Sequence, residues 1–382
     1  MTDINSRQSI VAIIWLAVIG PCVFILQPGF VQGLVVYLGF TEQQAGQIAS
    51  YEMFGIAATT VLLSFISSRV SWRNFLKACL VVCVTGNLAS IGQTDFTTLS
   101  VIRFVTGLGS GGLVSLTFTM MGLTKHADRN FGFILVGVLT YGGFGMLLMP
   151  TAFSAIGMNG LYVFFAAFCA SGLLFFKHLP GRGTAVVLEP GAISFSMPLV
   201  TLSLVAYLAY NIGIGIVWAY LFLVGIEAGM AEQAVANALT LSQFFGLAGA
   251  FVPVLLDLRI GRMIPLMFGV FGGALSVYIL LGDIDNKIFW IGVCGFNLLW
   301  NMTMPYILAM MADFDHRGRI VVHGVSMQFL GFAIGPFVAA QLVIEGGYDA
   351  ANMAAVMLFV IAAVLIAPGI IAQRDKMWLP KA

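Results

Sequence analysis

The feature that most constrains this chain is a succession of apolar runs, each about as long as a bilayer is thick, separated by short polar breaks. Of its 382 residues 60% are hydrophobic and only 9% charged, with a mean hydropathy of +1.01, whereas soluble domains carry about 25% charged residues. A spanning helix needs about 20 mostly apolar residues. Cutting at the polar breaks predicts spans over 9–38, 45–66, 75–91, 98–123, 131–153 and 161–176. After the break KHLPGRGTAVVLEPGAIS six more follow, over 197–226, 234–256, 263–281, 288–311, 320–343 and 353–371. The first run continues past the length of a signal-peptide core without a small-residue cleavage site, which predicts a retained first span.

Basic residues test this division, because Lys and Arg accumulate in cytoplasmic loops while acids contribute little to orientation. With both termini inside, every Lys and Arg except Lys287 and Arg103 falls in a cytoplasmic segment. The expectation is an all-α membrane protein of twelve transmembrane helices with an N-in, C-in topology, in the cytoplasmic (inner) membrane of its cell. Five cysteines, Cys22, Cys79, Cys83, Cys169 and Cys294, all lie inside apolar runs and read as small buried hydrophobes, with no disulfide framework and no metal site.

Sliding the sequence on itself until Glu42 and Gln43 fall on Glu232 and Gln233 also superposes Arg69 on Arg259, His126 on His316, and Arg129 on Arg319. Charged coincidences at one offset are rare in so apolar a chain. They predict two homologous six-helix bundles, residues 1–178 and 195–382, joined by a linker over 179–194. An even number of spans per half makes the repeats parallel, with a substrate site expected between them.

Two ionisable residues remain inside predicted spans, Arg103 and Glu52. Arg103 lies eight residues beyond Asp95 and Glu52 ten beyond Glu42, which places both about 10–15 Å below the same boundary. A charge at a helix centre costs about 2.5–3.5 kcal/mol on insertion scales, so such groups face water or each other. The expectation is that Arg103 borders an aqueous vestibule and that Glu52 reaches it. The alternatives are an arginine snorkelling outward and a purely structural clamp. If the pair separates, a proton becomes the cheapest partner for the carboxylate, and a conformational change would load and release it.

Polar residues on other spans extend the candidate set. Tyr207, Asn211 and Trp218 recur near one face of the seventh span, and Asn297, Trp300 and Asn301 within a turn of the tenth. Gln27, Tyr141, Gln243 and Gln328 are further candidates. Buried amides avoid lipid unless hydrogen-bonded, so these residues either line a cavity or hold helices together. His323, near an end of the eleventh span, reads as a packed histidine. The stretch GLGSGG lies inside an apolar run rather than after a strand, so no nucleotide site is expected, and neither cofactor nor nucleic-acid partner is implied.

Three motifs resemble the major facilitator superfamily, and the likeness extends over essentially the whole chain. Arg103, Gly107 and Gly109 match the family's fourth-span pattern R-x-x-x-G-x-G. SSRVSWR resembles its loop after the second span, keeping Arg69 and Arg73 but with Ser68 for the acid and Ser71 for the glycine. The repeat LLDLRIGR keeps Arg259, Gly261 and Arg262, with Asp257 displaced by one position. The resemblance implies two parallel six-helix bundles, a cytoplasmic gate at these loops, and a role for Arg103 in the translocation path and proton coupling. TYGGFGMLLMP has the glycines of an antiporter fifth span but not its Gly-Pro pair, which stands instead at Gly335 and Pro336. The implied activity is secondary transport of a small organic solute, drawing on a proton gradient, by a monomer that is not an enzyme. Export is the expected direction, with uptake by symport, uniport, or a non-transporting receptor as alternatives.

Overall fold

In the computed structural model the described residues are 3–66, 70–180, 196–256, 261–314 and 319–377, and their regular structure is entirely helical. Helices cover each predicted apolar run, but not one for one. The first run is broken into α1 (Arg7–Ile19), α2 (Cys22–Ile25) and α3 (Gln27–Leu38). The cause is local: Pro21 lacks the N–H that would continue α1, and Pro28 stands at the start of α3, where a missing donor costs nothing. This corrects the expectation of one uninterrupted span over 9–38.

The next three runs form α4 (Glu42–Ile66), α5 (Trp72–Ala89) and α6 (Phe96–Gly122). Asp95 caps α6, its carboxylate accepting from the Thr98 backbone N–H at 2.7 Å. That hydrogen bond holds the Asp95 carboxyl below the usual carboxylate range, so the cap contributes at neutral pH and weakens as pH falls through that range. The fifth and sixth runs are continuous in α7 (Ala127–Ser171), which bends at Gly157 and ends in a 3₁₀ segment, Gly172–His178.

The remaining elements are α8 (Met197–Glu227), α9 (Glu232–Leu256), α10 (Met263–Tyr278), α11 (Asn286–Phe314) and the long α12 (Arg319–Met377). Six stretches of the described residues are long and apolar enough to cross a membrane on length and composition alone: α6, α8, α9, Arg129–His178, and, on either side of the glycine bend in α12, His323–Ile344 and Gly347–Ala372. Large apolar side chains such as Phe65, Leu174, Val254 and Phe268 stand exposed, as lipid-facing positions do. All five cysteines are buried and free.

The internal repeat is written into the backbone. Left-handed glycines recur at the offset that carries Glu42 onto Glu232: Gly39 and Gly229 (φ 73° and 79°), Gly92 and Gly282 (71° and 74°), and Gly157 and Gly347 (62° and 65°). The Asn159 side chain accepts from the Gly92 N–H at 2.9 Å, and Asp349, its counterpart in the repeat, accepts from the Gly282 N–H at 3.0 Å. One position breaks the pattern. Gly261 has φ 69°, but its counterpart is Ser71, with φ −75°. A Cβ makes the left-handed region costly, so this serine gives the loop before α5 a different path from the loop before α10.

The chain divides into two compact units. The first comprises residues 1–187 together with 231–240, the second residues 188–230 and 241–382. Within the first, the start of α9 is tied to α3 by Gln32 donating to Glu232 at 3.1 Å, and to α7 by Gln233 donating to the Leu147 carbonyl at 3.2 Å.

The bends at Gly157 and Gly347 are the same device in two copies. Gly157, at φ 62° and ψ −173°, occupies a region open essentially to glycine alone. Gly157→Ala and Gly347→Ala are each expected to cost about 1–3 kcal/mol, read as matching falls in the midpoint of thermal unfolding of the purified protein; a fall at one site only would show that the two bends are not equivalent.

Candidate functional site

The site in the first unit begins with a close approach of α4 and α6. A Cβ on Gly107 would strike the Glu52 carbonyl, and one on Gly55 would lie 2.8 Å from the Leu108 nitrogen. Gly109, on another face of α6, packs against the Cys79 carbonyl of α5. The glycines of the R-x-x-x-G-x-G pattern therefore let α6 sit against two neighbours at once, as small residues do in membrane helices. This approach brings Glu52 within reach of Arg103.

Arg103 donates through Nε to Glu52 Oε2 at 3.1 Å and through Nη2 to Glu52 Oε1 at 2.5 Å, a two-pronged pair. Its Nη1 donates to Asn87 Oδ1 at 2.9 Å and lies 3.4 Å from Ser90 Oγ, both carried by α5 or its C-cap. Asn87 and Ser90 are anchored in turn, donating to the Cys83 and Gly86 carbonyls. The guanidinium carbon stands 5.4 Å from the Phe30 ring centroid and 5.9 Å from that of Tyr162. Arg103 has no exposed surface and Glu52 has 1%.

One alternative falls here and one expectation changes. Arg103 does not snorkel. Nor does it border water: full burial with paired donors is what makes the charge tolerable. The meeting of Arg103 and Glu52 was legible from their equal depth; Asn87, Ser90, Phe30 and Tyr162 were not singled out. Asn87 carried a usable signal, an amide deep in an apolar run one turn from Ser90. The two rings carried none, since Phe and Tyr are common throughout the chain.

Gln27 opens α3, one turn before Phe30, at 1% exposure, and neither end of its amide has a hydrogen-bond partner among the described residues. Tyr141 stacks on Phe168 at 5.0 Å, and its hydroxyl is likewise unpartnered among the described residues.

In the second unit the candidates fall into three groups. Trp218 of α8 meets Trp300 of α11 edge to face at 5.7 Å, and Trp300 also packs against Phe296 and Phe332. The Tyr207 hydroxyl donates to Gln328 Oε1 at 3.2 Å, joining α8 to α12, while Asn211 donates to the Tyr207 carbonyl at 2.7 Å. The Asn211 side-chain oxygen has no partner among the described residues. Asn297 donates to Ser242 Oγ at 3.0 Å, and Asn301 donates to Asn297 Oδ1 at 3.0 Å. Asn297 thus ties α11 to α9, while Asn301 bonds within α11 and braces the Asn297 amide. Gln243 is buried on α9 next to Ser242.

Of the predicted gate residues, Arg69, Asp257 and Arg259 lie outside the described residues, as do His316 and most of the predicted linker. Arg73 donates through Nε to the Leu179 carbonyl at 3.0 Å, clipping the start of α5 to the chain beyond the 3₁₀ segment. Arg262 pairs with Asp313 near the end of α11. Gly261 turns the chain just before it. Among the described residues, Asp313 is the acid this arginine meets.

The sequence model of the Major Facilitator Superfamily matches residues 13–321. The chain belongs to that family. No curated protein matches it. Among solved structures it is similar in fold to the nucleoside transporter NupG (TM-score 0.74, 13% identity, 94% of this chain and 98% of that one). It is also similar to a D-xylose–proton symporter (0.73, 16%, 93% and 95%) and to the human organic anion transporter MFSD10 (0.70, 15%, 94% and 99%). The superfamily chain thus has a multi-helix membrane-transporter fold over nearly its full length.

Removing one member of a buried ion pair leaves the other uncompensated, typically at a cost of about 3–5 kcal/mol, while replacing both is far milder. Glu52→Gln and Arg103→Gln are each expected to lower the thermal midpoint strongly, and the double variant to recover most of the loss. Simple addition of the two single losses would show that the side chains contribute independently.

Proposed function

We propose that this protein is a secondary transporter that moves a small organic solute by alternating access, coupled to protons through Glu52 and Arg103. The observation that carries the reading is the fully buried Arg103–Glu52 pair, held between α4, α5 and α6. Protonating Glu52 would cancel its charge and leave Arg103 uncompensated in an apolar interior, a state that favours admitting water or a polar solute group. Proton binding and opening are then two sides of one equilibrium. Neither the pair nor its surroundings needs a cofactor for this.

The unpaired amide of Gln27 and the Asn211 side-chain oxygen supply hydrogen-bonding capacity with no use among the described residues. Trp218 and Trp300 supply flat apolar surface. This mixture suits a neutral, zwitterionic or singly charged organic solute. Asn297 and Gln328 act mainly in holding helices. We assign residues 1–178 and 195–382 as the two bundles, 179–194 as the linker, and both termini to the cytoplasmic side of the inner membrane, with a monomer as the working unit. The gate reading of Arg69, Arg73, Asp257, Arg259, Gly261 and Arg262 is part of the same proposal.

Export is the direction we assign, on the likeness of the loop pattern to exporters. Proton-driven uptake is the second reading, favoured by the fold similarity to a D-xylose–proton symporter. Nucleosides, pentoses and organic anions are the first solutes to screen by thermal shift, and a hit is then assayed in proteoliposomes. Glu52→Gln, with the Glu52→Gln/Arg103→Gln double variant where the single one unfolds, is expected to abolish accumulation driven by a pH gradient while solute counterflow persists. Undiminished gradient-driven accumulation in both variants would remove Glu52 from the mechanism. The sign of the gradient that drives accumulation decides between export and uptake.

A further inference from the structure

Beside the charge pair stands one polar group that the pair leaves unused, the hydroxyl of Tyr162. Tyr162 lies five residues past the glycine bend of α7 and has no exposed surface. Its ring meets Phe30 edge to face at 6.1 Å, and the Arg103 guanidinium carbon stands over that ring, 5.9 Å from its centroid. The ring is thus already employed, as apolar filling and as a cation–π partner. The hydroxyl is not, for it has no hydrogen-bond partner among the described residues.

A buried phenol ordinarily finds a partner, as Tyr207 does in Gln328. Phenylalanine would supply the same ring without the cost of a buried, unsatisfied hydroxyl. Tyr141 also lacks a partner, but its ring stacks on Phe168 rather than on a charge. In the intact pair the guanidinium has no need of Tyr162: Nε and Nη2 donate to Glu52, and Nη1 to Asn87. Protonating Glu52 removes the negative charge from two of those bonds. A hydroxyl accepts one hydrogen bond while donating another, so the phenol can then take an N–H of Arg103.

We propose that Tyr162 is a positioning residue for the proton-loaded state, its hydroxyl accepting from Arg103 and holding the guanidinium once Glu52 is neutral. This rests on the proton-coupling reading of the pair and adds the group that stabilises the loaded form. The other titratable groups facing the pair are Cys22 of α2, Cys83 of α5 and Cys169 of α7. Thiols and phenols ionise at higher pH than carboxyls, so the change of charge on acidification belongs to Glu52. A contact made only in the protonated state raises the affinity of Glu52 for its proton.

The test is a substrate-free pH titration of the purified full-length protein followed by infrared difference spectroscopy. The carboxylic C=O stretch reports protonated Glu52, and is assigned by its loss in the Glu52→Gln/Arg103→Gln double variant. Tyr162→Phe keeps the ring, and is expected to leave the thermal midpoint at neutral pH unchanged or raised. It is expected to move the half-point of the Glu52 band by about one pH unit towards acid, the size of one hydrogen bond to a charged group. In wild-type protein the tyrosine C–O stretch shifts as the band grows, and Tyr162→Phe removes that shift. A Glu52 band whose half-point is unmoved in Tyr162→Phe overturns the role of Tyr162 and leaves proton coupling standing. A neutral-pH midpoint that falls while the half-point stays put shows a hydroxyl that serves folding alone, and overturns it equally. Absence of any Glu52 band while the protein stays folded overturns both the coupling and this proposal.

Discussion

The first unit depends on how closely α4 can lie against α6. Gly55 and Gly107 remove the side chains that would otherwise separate the two backbones, and only at that spacing does the Arg103 guanidinium clasp both Glu52 oxygens. Asn87 and Ser90 complete the arrangement from α5 by taking the other end of the guanidinium. Packing and electrostatics here are one constraint. A bulkier residue at the contact would cost more than its own overlap, because it would leave two charges in an apolar interior without their partners.

The same economy explains how a charge sits in so apolar a chain. An arginine facing lipid would have to reach water or draw water in. Here the charge is absorbed internally, by a carboxylate, an amide, a hydroxyl and two ring faces. A site built this way stays silent while closed and becomes demanding once the carboxylate takes a proton. That is the physical basis of the coupling proposal. The second unit has no such charge pair among its described residues: the repeat places Ser242 where Glu52 stands and Asn297 where Gly107 stands, and these two are hydrogen-bonded to each other. One helix contact has therefore been used twice, with a close backbone approach in both copies, once beside a charge pair and once beside a neutral hydrogen bond.

Much of the architecture was legible because membrane solvation is severe. Hydrocarbon forces every backbone group into a helix, so apolar runs translate almost directly into helices. The repeat was legible from charged residues at one offset, and it reappears in glycine conformations that no apolar pattern encodes. The breaks in the first run were only half legible. Pro21 and Pro28 were visible, but a proline bends some helices and interrupts others, and the outcome depends on what packs around it.

The sequence by itself determined the fold class, the repeat, and the two charges that had to find each other, because burying an unpaired charge in a bilayer is too costly to leave to chance. Only the tertiary structure decided that Arg103 is satisfied by protein rather than by water, and that Asn297 serves as glue while Gln27 keeps both ends of its amide without partners among the described residues. The physical reason is that composition and spacing fix how much polarity must be buried and at what depth, whereas which groups meet depends on helix rotation and separation, set by contacts between residues far apart in the chain.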